Sequence, residues 1–201
     1  MPKDLPELHM MVAARICHDL VSPMGAISNG LELLGMAQDG TVPELELMAQ
    51  SIQSATTRLR FFRIAFGPVS ADQKMARAEI LSVLQALEQV NRHSYTWQST
   101  RDLSRRDIKL VFLLIMCLET ALPWGGEIRV MDSPDGVELL GLSERIRIDD
   151  ELWTALAAGT EADTMSSARV QFALAGCETS ARNARIALAE SPGALRVALR
   201  L

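Results

Sequence analysis

The chain is 201 residues long, carries a formal net charge of −5 and is 48% apolar. This length allows one or two modest domains, and the apolar content excludes a disordered chain while leaving room for an apolar association surface. The acidic balance excludes a nucleic-acid partner: the densest basic run, Arg101, Arg105 and Arg106, is interrupted by Asp102 and Asp107 and reads as a solvated helix start.

The first predicted element is one long helix from Leu5 to Met36. In it Ala13, Ile16, Leu20, Met24, Ile27, Leu31 and Leu34 recur at alternating spacings of three and four, the mark of an apolar seam. Gly35 and "QDGT" close it. A second helix begins near Pro43 and repeats the alternation in Leu45, Met48, Ile52, Ala55, Leu59, Phe62 and Phe66. Two seamed helices joined by a short polar turn make an antiparallel hairpin. A lone hairpin cannot enclose its own seam, so two copies are expected to pair into a four-helix bundle, making a homodimer. The alternative is that the seam packs on the rest of the same chain.

"GPVSADQ" reads as a linker between a helical domain over residues 1–67 and a mixed domain over residues 72–201. Beyond it, Met75 to Val90 reads as a helix, "SYTWQS" as a short strand, and Arg105 to Leu122 as a buried helix. "EIRVM", "DSPDG" and "VELLGLS" give a strand, a turn and a strand. Asp150 to Ala158 and Ser166 to Glu178 are predicted helices, and "ARIALAE", "SPG" and "ALRVALRL" form a last hairpin. The fold class is therefore α+β, a helical hairpin followed by a two-layer α/β sandwich. Trp97, Trp124 and Trp153 read as core or interface residues, and His9 and His93, with no acid in register, as surface residues.

Cys17, Cys117 and Cys177 are odd in number, widely spaced and without zinc-ligand spacing, which points to reduced thiols. The N-terminal "MPKDLPELHM" has acids and prolines where a signal peptide has its apolar core, and Glu119 interrupts the longest apolar run. A cytoplasmic protein with no membrane partner is the expectation.

The stretch "AARICHDLVSPMGAISNGLELL" places a His-Asp pair and a Ser-Pro pair inside the first helix. On a wheel of about 100° per residue, His18, Ser22, Gly25 and Asn29 fall opposite the seam as a polar, small-residue stripe. The imidazole thus faces water, which excludes a buried structural histidine and leaves a functionless surface histidine as the bland alternative. Asp19 is placed to accept a hydrogen bond from one ring nitrogen, fixing the tautomer and freeing the other as a nucleophile. Pro23 removes a backbone donor and releases the Asp19 carbonyl, so a local bend is expected there.

"HDLVSPMGAI", His18 to Ile27, resembles the H-box of sensor histidine kinases, whose helix belongs to a dimeric four-helix bundle followed by an ATP-binding α/β sandwich. The second domain departs from that pattern. "KLVFLLIMCLETALPWGG" aligns with the kinase helix whose Asn amides hold magnesium, yet Cys117 stands about where the metal-binding Asn would be. The adenine-reading Asp-x-Gly-x-Gly is absent from "GVELLGLSERIRID", and the Gly-rich lid is absent from "GTEADTMSSARVQFALAG". An intact H-box beside a degenerate ATP domain resembles the ChpT-type histidine phosphotransferases of phosphorelays.

That resemblance implies a phosphorelay intermediate with no cofactor of its own, the Mg2+ being carried by the partner receiver domain. His18 would take a phosphoryl group from the receiver of a CckA-type hybrid kinase and pass it to response regulators of the CtrA and CpdR type. Asp19 would orient the ring, Ser22 would hold the geometry, and Arg15, Gly25 and Asn29 would meet the docked receiver. Two rival readings are a dimeric scaffold that binds receivers without chemistry and an ATP-dependent kinase with an unfamiliar pocket.

Overall fold

The alternating spacings of the N-terminal segment produce the helix they call for, α1 (Leu5–Met36), and α2 (Val42–Ala65) follows as its hairpin partner. The computed structural model describes residues 5–36, 42–70, 73–160 and 166–201. The "QDGT" turn and part of the "GPVSADQ" linker lie outside the described residues. α1 runs unbroken through Pro23.

The face of α1 that meets α2 is not the apolar seam. Gly30 is buried so closely against α2 that a Cβ there would lie 2.5 Å from Met48 Cγ. Asp19, Pro23 and Ala26 share that side of the helix with Gly30, spaced four, three and four. The seam lies roughly a quarter-turn further round. Part of it is uncovered: Met24 is 59% exposed and Leu31 57% on α1, Leu45 54% and Ile52 51% on α2. Toward the second domain the seam does pack on its own chain, where Phe62 is buried in the core and Ile16 and Phe66 pack against it.

The second domain contains α3 (Arg77–Glu88), β1 (His93–Trp97), α4 (Arg105–Ala121), β2 (Gly126–Ser133), β3 (Gly136–Leu142), α5 (Asp150–Ala158), α6 (Val170–Ser180), β4 (Arg185–Ser191) and β5 (Ala194–Arg200). Among the described residues its strands form one sheet in the order β1-β2-β3-β5-β4, with β1 parallel to β2 and the other pairs antiparallel. Alternation decides the two faces: Ile128, Val130, Val137, Leu139, Val197 and Leu199 are buried, while on the solvated side Arg129 pairs with Glu127 and Arg196 with Glu138. The segment "DSPDG" turns at Pro134 and Asp135. "SPG" turns at Pro192 and Gly193, where φ is +72°, a backbone conformation that favours glycine.

α4 is the central helix. Ser104 and Asp107 close a reciprocal capping box at its start, and Leu110 to Leu118 are buried without interruption. Its first residue departs from the expectation of a solvated start: Arg105 is buried and donates to the carbonyls of Arg63 and Ile64 at the end of α2. The guanidinium satisfies carbonyls that a helix end leaves without partners. The helix expected over Ser166 to Glu178 begins instead as one 3-10 turn, Ser167–Arg169, and becomes α-helical at Val170.

The hairpin and the sandwich pack together in the same chain. Leu8 and Met11 of α1 are buried with Val170 and Ala173 of α6. At the other end of the contact, Phe61 of α2 packs on Phe112 of α4 with ring centroids 4.9 Å apart. Trp97 and Trp153 are core residues as expected, but Trp124 is 58% exposed, with Arg145 over its ring. His93 is also a correction: it is half-buried, and its Nε2–H donates to the Leu122 carbonyl at 2.8 Å.

Candidate functional site

The polar stripe of α1 lies where the wheel puts it. His18, Ser22, Gly25 and Asn29 are all exposed, and a Cβ on Gly25 would meet nothing within 4 Å. The stripe borders a groove of about 400 Å³ between the helices, lined on α1 by His18, Asp19, Ser22 and Pro23 and on α2 by Ser51, Ser54 and Arg58 among others.

His18 and Asp19 are adjacent in sequence and opposite in environment. The His18 side chain is 83% exposed and that of Asp19 only 8%. His18 Nδ1 lies 3.0 Å from Asp19 Oδ1. An ionised carboxylate only accepts, so the ring proton sits on Nδ1 and Nε2 carries the free lone pair toward solvent. Two arginines face the second oxygen of Asp19 in this half-enclosed position. Arg15 Nε donates to Oδ2 at 3.0 Å, and an Arg58 terminal nitrogen lies 3.9 Å from the same atom. The carboxylate is therefore held from behind and presents one oxygen to the imidazole.

Arg15 has a further tie. Its terminal nitrogen donates to the Ala168 carbonyl at 2.6 Å, in the turn that leads into α6. The guanidinium expected beside a docked partner thus spans from Asp19 to the second domain. Ser22 lies on the groove wall with His18, while Gly25 and Asn29 continue the open stripe one and two turns further on. Arg58 escaped the reading of the sequence. Its signal was the polar row Ser51, Ser54, Arg58, spaced three and four along α2, which marks a face turned away from the seam.

Cys117 of α4 is fully buried, and burial pushes its thiol well above the ordinary range. The side chain fills its place in the core as a small apolar group. Among the described residues no group of three or more His, Cys, Asp or Glu is arranged to hold a metal ion, and no helix is long and apolar enough to cross a membrane.

The fold, a helical hairpin joined to an α/β sandwich, is shared with a solved bacterial phosphotransferase. That structure, determined at 1.7 Å, covers 100% of this chain and 98% of its own, with a TM-score of 0.83 at 23% identity. Residues 77–193 match the family model of the histidine phosphotransferase C-terminal domain, and the chain belongs to that family. The protein phosphotransferase ChpT of Brucella abortus (strain 2308) is 34% identical over 128 residues, which is 62% of this chain and 60% of that protein. The chain thus spans about 60% of the length of the curated relative it matches. The histidine kinase AdeS of Acinetobacter baumannii is more distant, with a TM-score of 0.46 at 13% identity over 92% of this chain and 96% of that one.

Proposed function

We propose that this protein is a phosphorelay histidine phosphotransferase, acting as a homodimer, in which Nε2 of His18 carries the phosphoryl group between aspartates of partner receiver domains. The observation that carries the reading is the pairing of an 83% exposed imidazole with an 8% exposed carboxylate at its Nδ1. This arrangement fixes which nitrogen attacks and leaves it open to a protein-sized donor.

In the forward step Nε2 attacks the phosphorus of an aspartyl phosphate, and the bond from phosphorus to the aspartyl oxygen breaks. The released carboxylate keeps the electron pair. The ring gains positive charge, which Asp19 balances through the Nδ1–H hydrogen bond, and the second transfer reverses these changes on another receiver. The acyl phosphate is already activated, and the receiver supplies Mg2+, so positioning is the main demand on this chain. Arg15 and Arg58 hold Asp19; Ser22 shapes the groove beside the ring; Gly25 and Asn29 give clearance and a polar contact on the docking stripe. The buried Cys117 and the absence of the glycine-rich sequence support transfer without ATP on this chain. By the family resemblance the donor is the receiver of a CckA-type hybrid kinase and the acceptors are regulators of the CtrA and CpdR type. The uncovered seam of Met24, Leu31, Leu45 and Ile52 supports the dimer.

The test mixes purified protein with a hybrid-kinase receiver charged with labelled phosphate, without ATP. Wild type is expected to become labelled and His18→Ala to remain unlabelled while still binding the receiver. Binding by both proteins with label on neither would replace transfer with the scaffold reading.

A further inference from the structure

Behind Asp19, at the join of hairpin and sandwich, is a small cavity of about 50 Å³. Its charged lining comes from three helices: Arg15 and Asp19 of α1, Arg58 of α2 and Glu119 of α4. Phe61, Phe62, Leu87 and Met116 supply apolar walls, so the charges act on one another through little water. Glu119 is anchored from the sandwich side. Its Oε1 accepts from the Tyr95 hydroxyl and, at 3.2 Å, from the Asn91 amide, which also donates to the Tyr95 oxygen at 2.8 Å. Burial and the neighbouring Glu119 push the Tyr95 hydroxyl well above the ordinary phenol range, so it stays a donor. Burial leaves the Glu119 carboxyl raised on balance, with the Tyr95 hydrogen bond, His93, Arg15 and Arg58 opposing the shift.

The charge count favours this partner. Two guanidiniums facing Asp19 alone would leave one positive charge uncompensated where water screens it only in part, Arg15 being 22% and Arg58 31% exposed. Glu119 supplies the second negative charge. Without it, both arginines would draw on Asp19 and compete with the imidazole for the carboxylate. We propose that Glu119, anchored by Tyr95 and Asn91, is a positioning residue for His18, because it balances the Arg15–Arg58 pair and so leaves Asp19 free to hold the imidazole by Nδ1. The inference deepens the function proposed above and rests on it.

The test uses Glu119→Gln in the full chain, with three readings: transfer rate, receiver affinity and the His18 tautomer by long-range nitrogen–proton NMR. Transfer is expected to slow roughly 10- to 100-fold, the scale of a misplaced reacting group. Receiver affinity is expected to stay within about threefold, and the imidazole proton to move from Nδ1 toward Nε2. Adding Arg58→Gln restores the charge balance and is expected to return the rate to within about threefold of wild type, where two independent structural defects would instead add. Tyr95→Phe, which removes one anchor of Glu119, should shift rate and tautomer in the same direction by less, and serves if Glu119→Gln does not fold. An unchanged rate and tautomer in Glu119→Gln overturns the proposal; so does a slow variant that keeps the Nδ1–H tautomer or is not recovered by Arg58→Gln. If His18→Ala still accepts phosphate while Glu119→Gln moves the tautomer, the phosphoacceptor assignment fails and the positioning network stands.

Discussion

Asp19→Asn is expected to slow transfer through His18 by roughly 10²-fold or more, the scale of a lost acid–base partner, without unfolding the protein. The change is isosteric, and Asn keeps a carbonyl that can accept from Arg15. Two things are lost. The negative charge that balances the phosphorylated ring disappears, leaving Arg15 and Arg58 facing Glu119 alone. An amide can also turn its NH2 toward the ring, where it donates to Nδ1 and moves the ring proton to Nε2, the nitrogen that must attack. Among the described residues the exposed imidazole makes no other hydrogen bond that would resist this. Single-turnover transfer from a saturating phosphorylated receiver measures the effect, with a thermal melt as the check on folding. A rate near that of wild type would show that Asp19 neither orients nor neutralises the ring.

The second large effect concerns assembly. Leu31→Glu combined with Ile52→Glu is expected to convert a dimer into a monomer. Both side chains are more than half exposed in the single chain, at 57% and 51%, and both lie on the continuous seam. A four-helix bundle would hold four such glutamates, two from each chain. Burying each without a partner costs on the order of 2 kcal/mol or more, so association should weaken by roughly 10⁵-fold or more. Sedimentation equilibrium reads this directly. A wild type that is monomeric at micromolar concentration, or a double variant that still pairs, would assign the seam to something other than a second copy of this chain. The same double variant leaves the His18–Asp19 pair untouched, so its transfer rate separates assembly from chemistry.

What the sequence made legible follows the range of the interactions. Elements defined by near neighbours are where the spacing puts them: α1 over Leu5–Met36, α5 over Asp150–Ala158, and the two tight hairpins at Pro134 and Pro192. The exposure of His18 was legible for the same reason, since a helix fixes which side chains oppose its apolar seam. The seam itself was legible, but not that α1 meets α2 on another of its faces, where Gly30 admits the α2 seam residue Met48 and polar residues flank the groove. Apolar spacing reports where burial is needed and not which partner supplies it. Arg105 was misread because its charge suggested solvent, whereas the carbonyls it caps belong to a helix some 40 residues earlier. The cluster behind Asp19 was out of reach altogether. Arg15, Arg58, Tyr95 and Glu119 come from four elements of the chain and converge only when the hairpin docks on the sandwich. Of these, only the Arg15–Asp19 spacing of four is visible locally.

The most direct measurement of the central claim locates the phosphate. Wild-type protein is incubated with a phosphorylated receiver in the absence of ATP, and separately with ATP and Mg2+ in the absence of any receiver. The modified residue is then identified by fragmentation under alkaline conditions, which preserve phosphohistidine. The account predicts an acid-labile, alkali-stable phosphate on His18 in the first incubation and no phosphate in the second. Phosphate on another residue, or a His18 phosphate that forms from ATP alone, would contradict it.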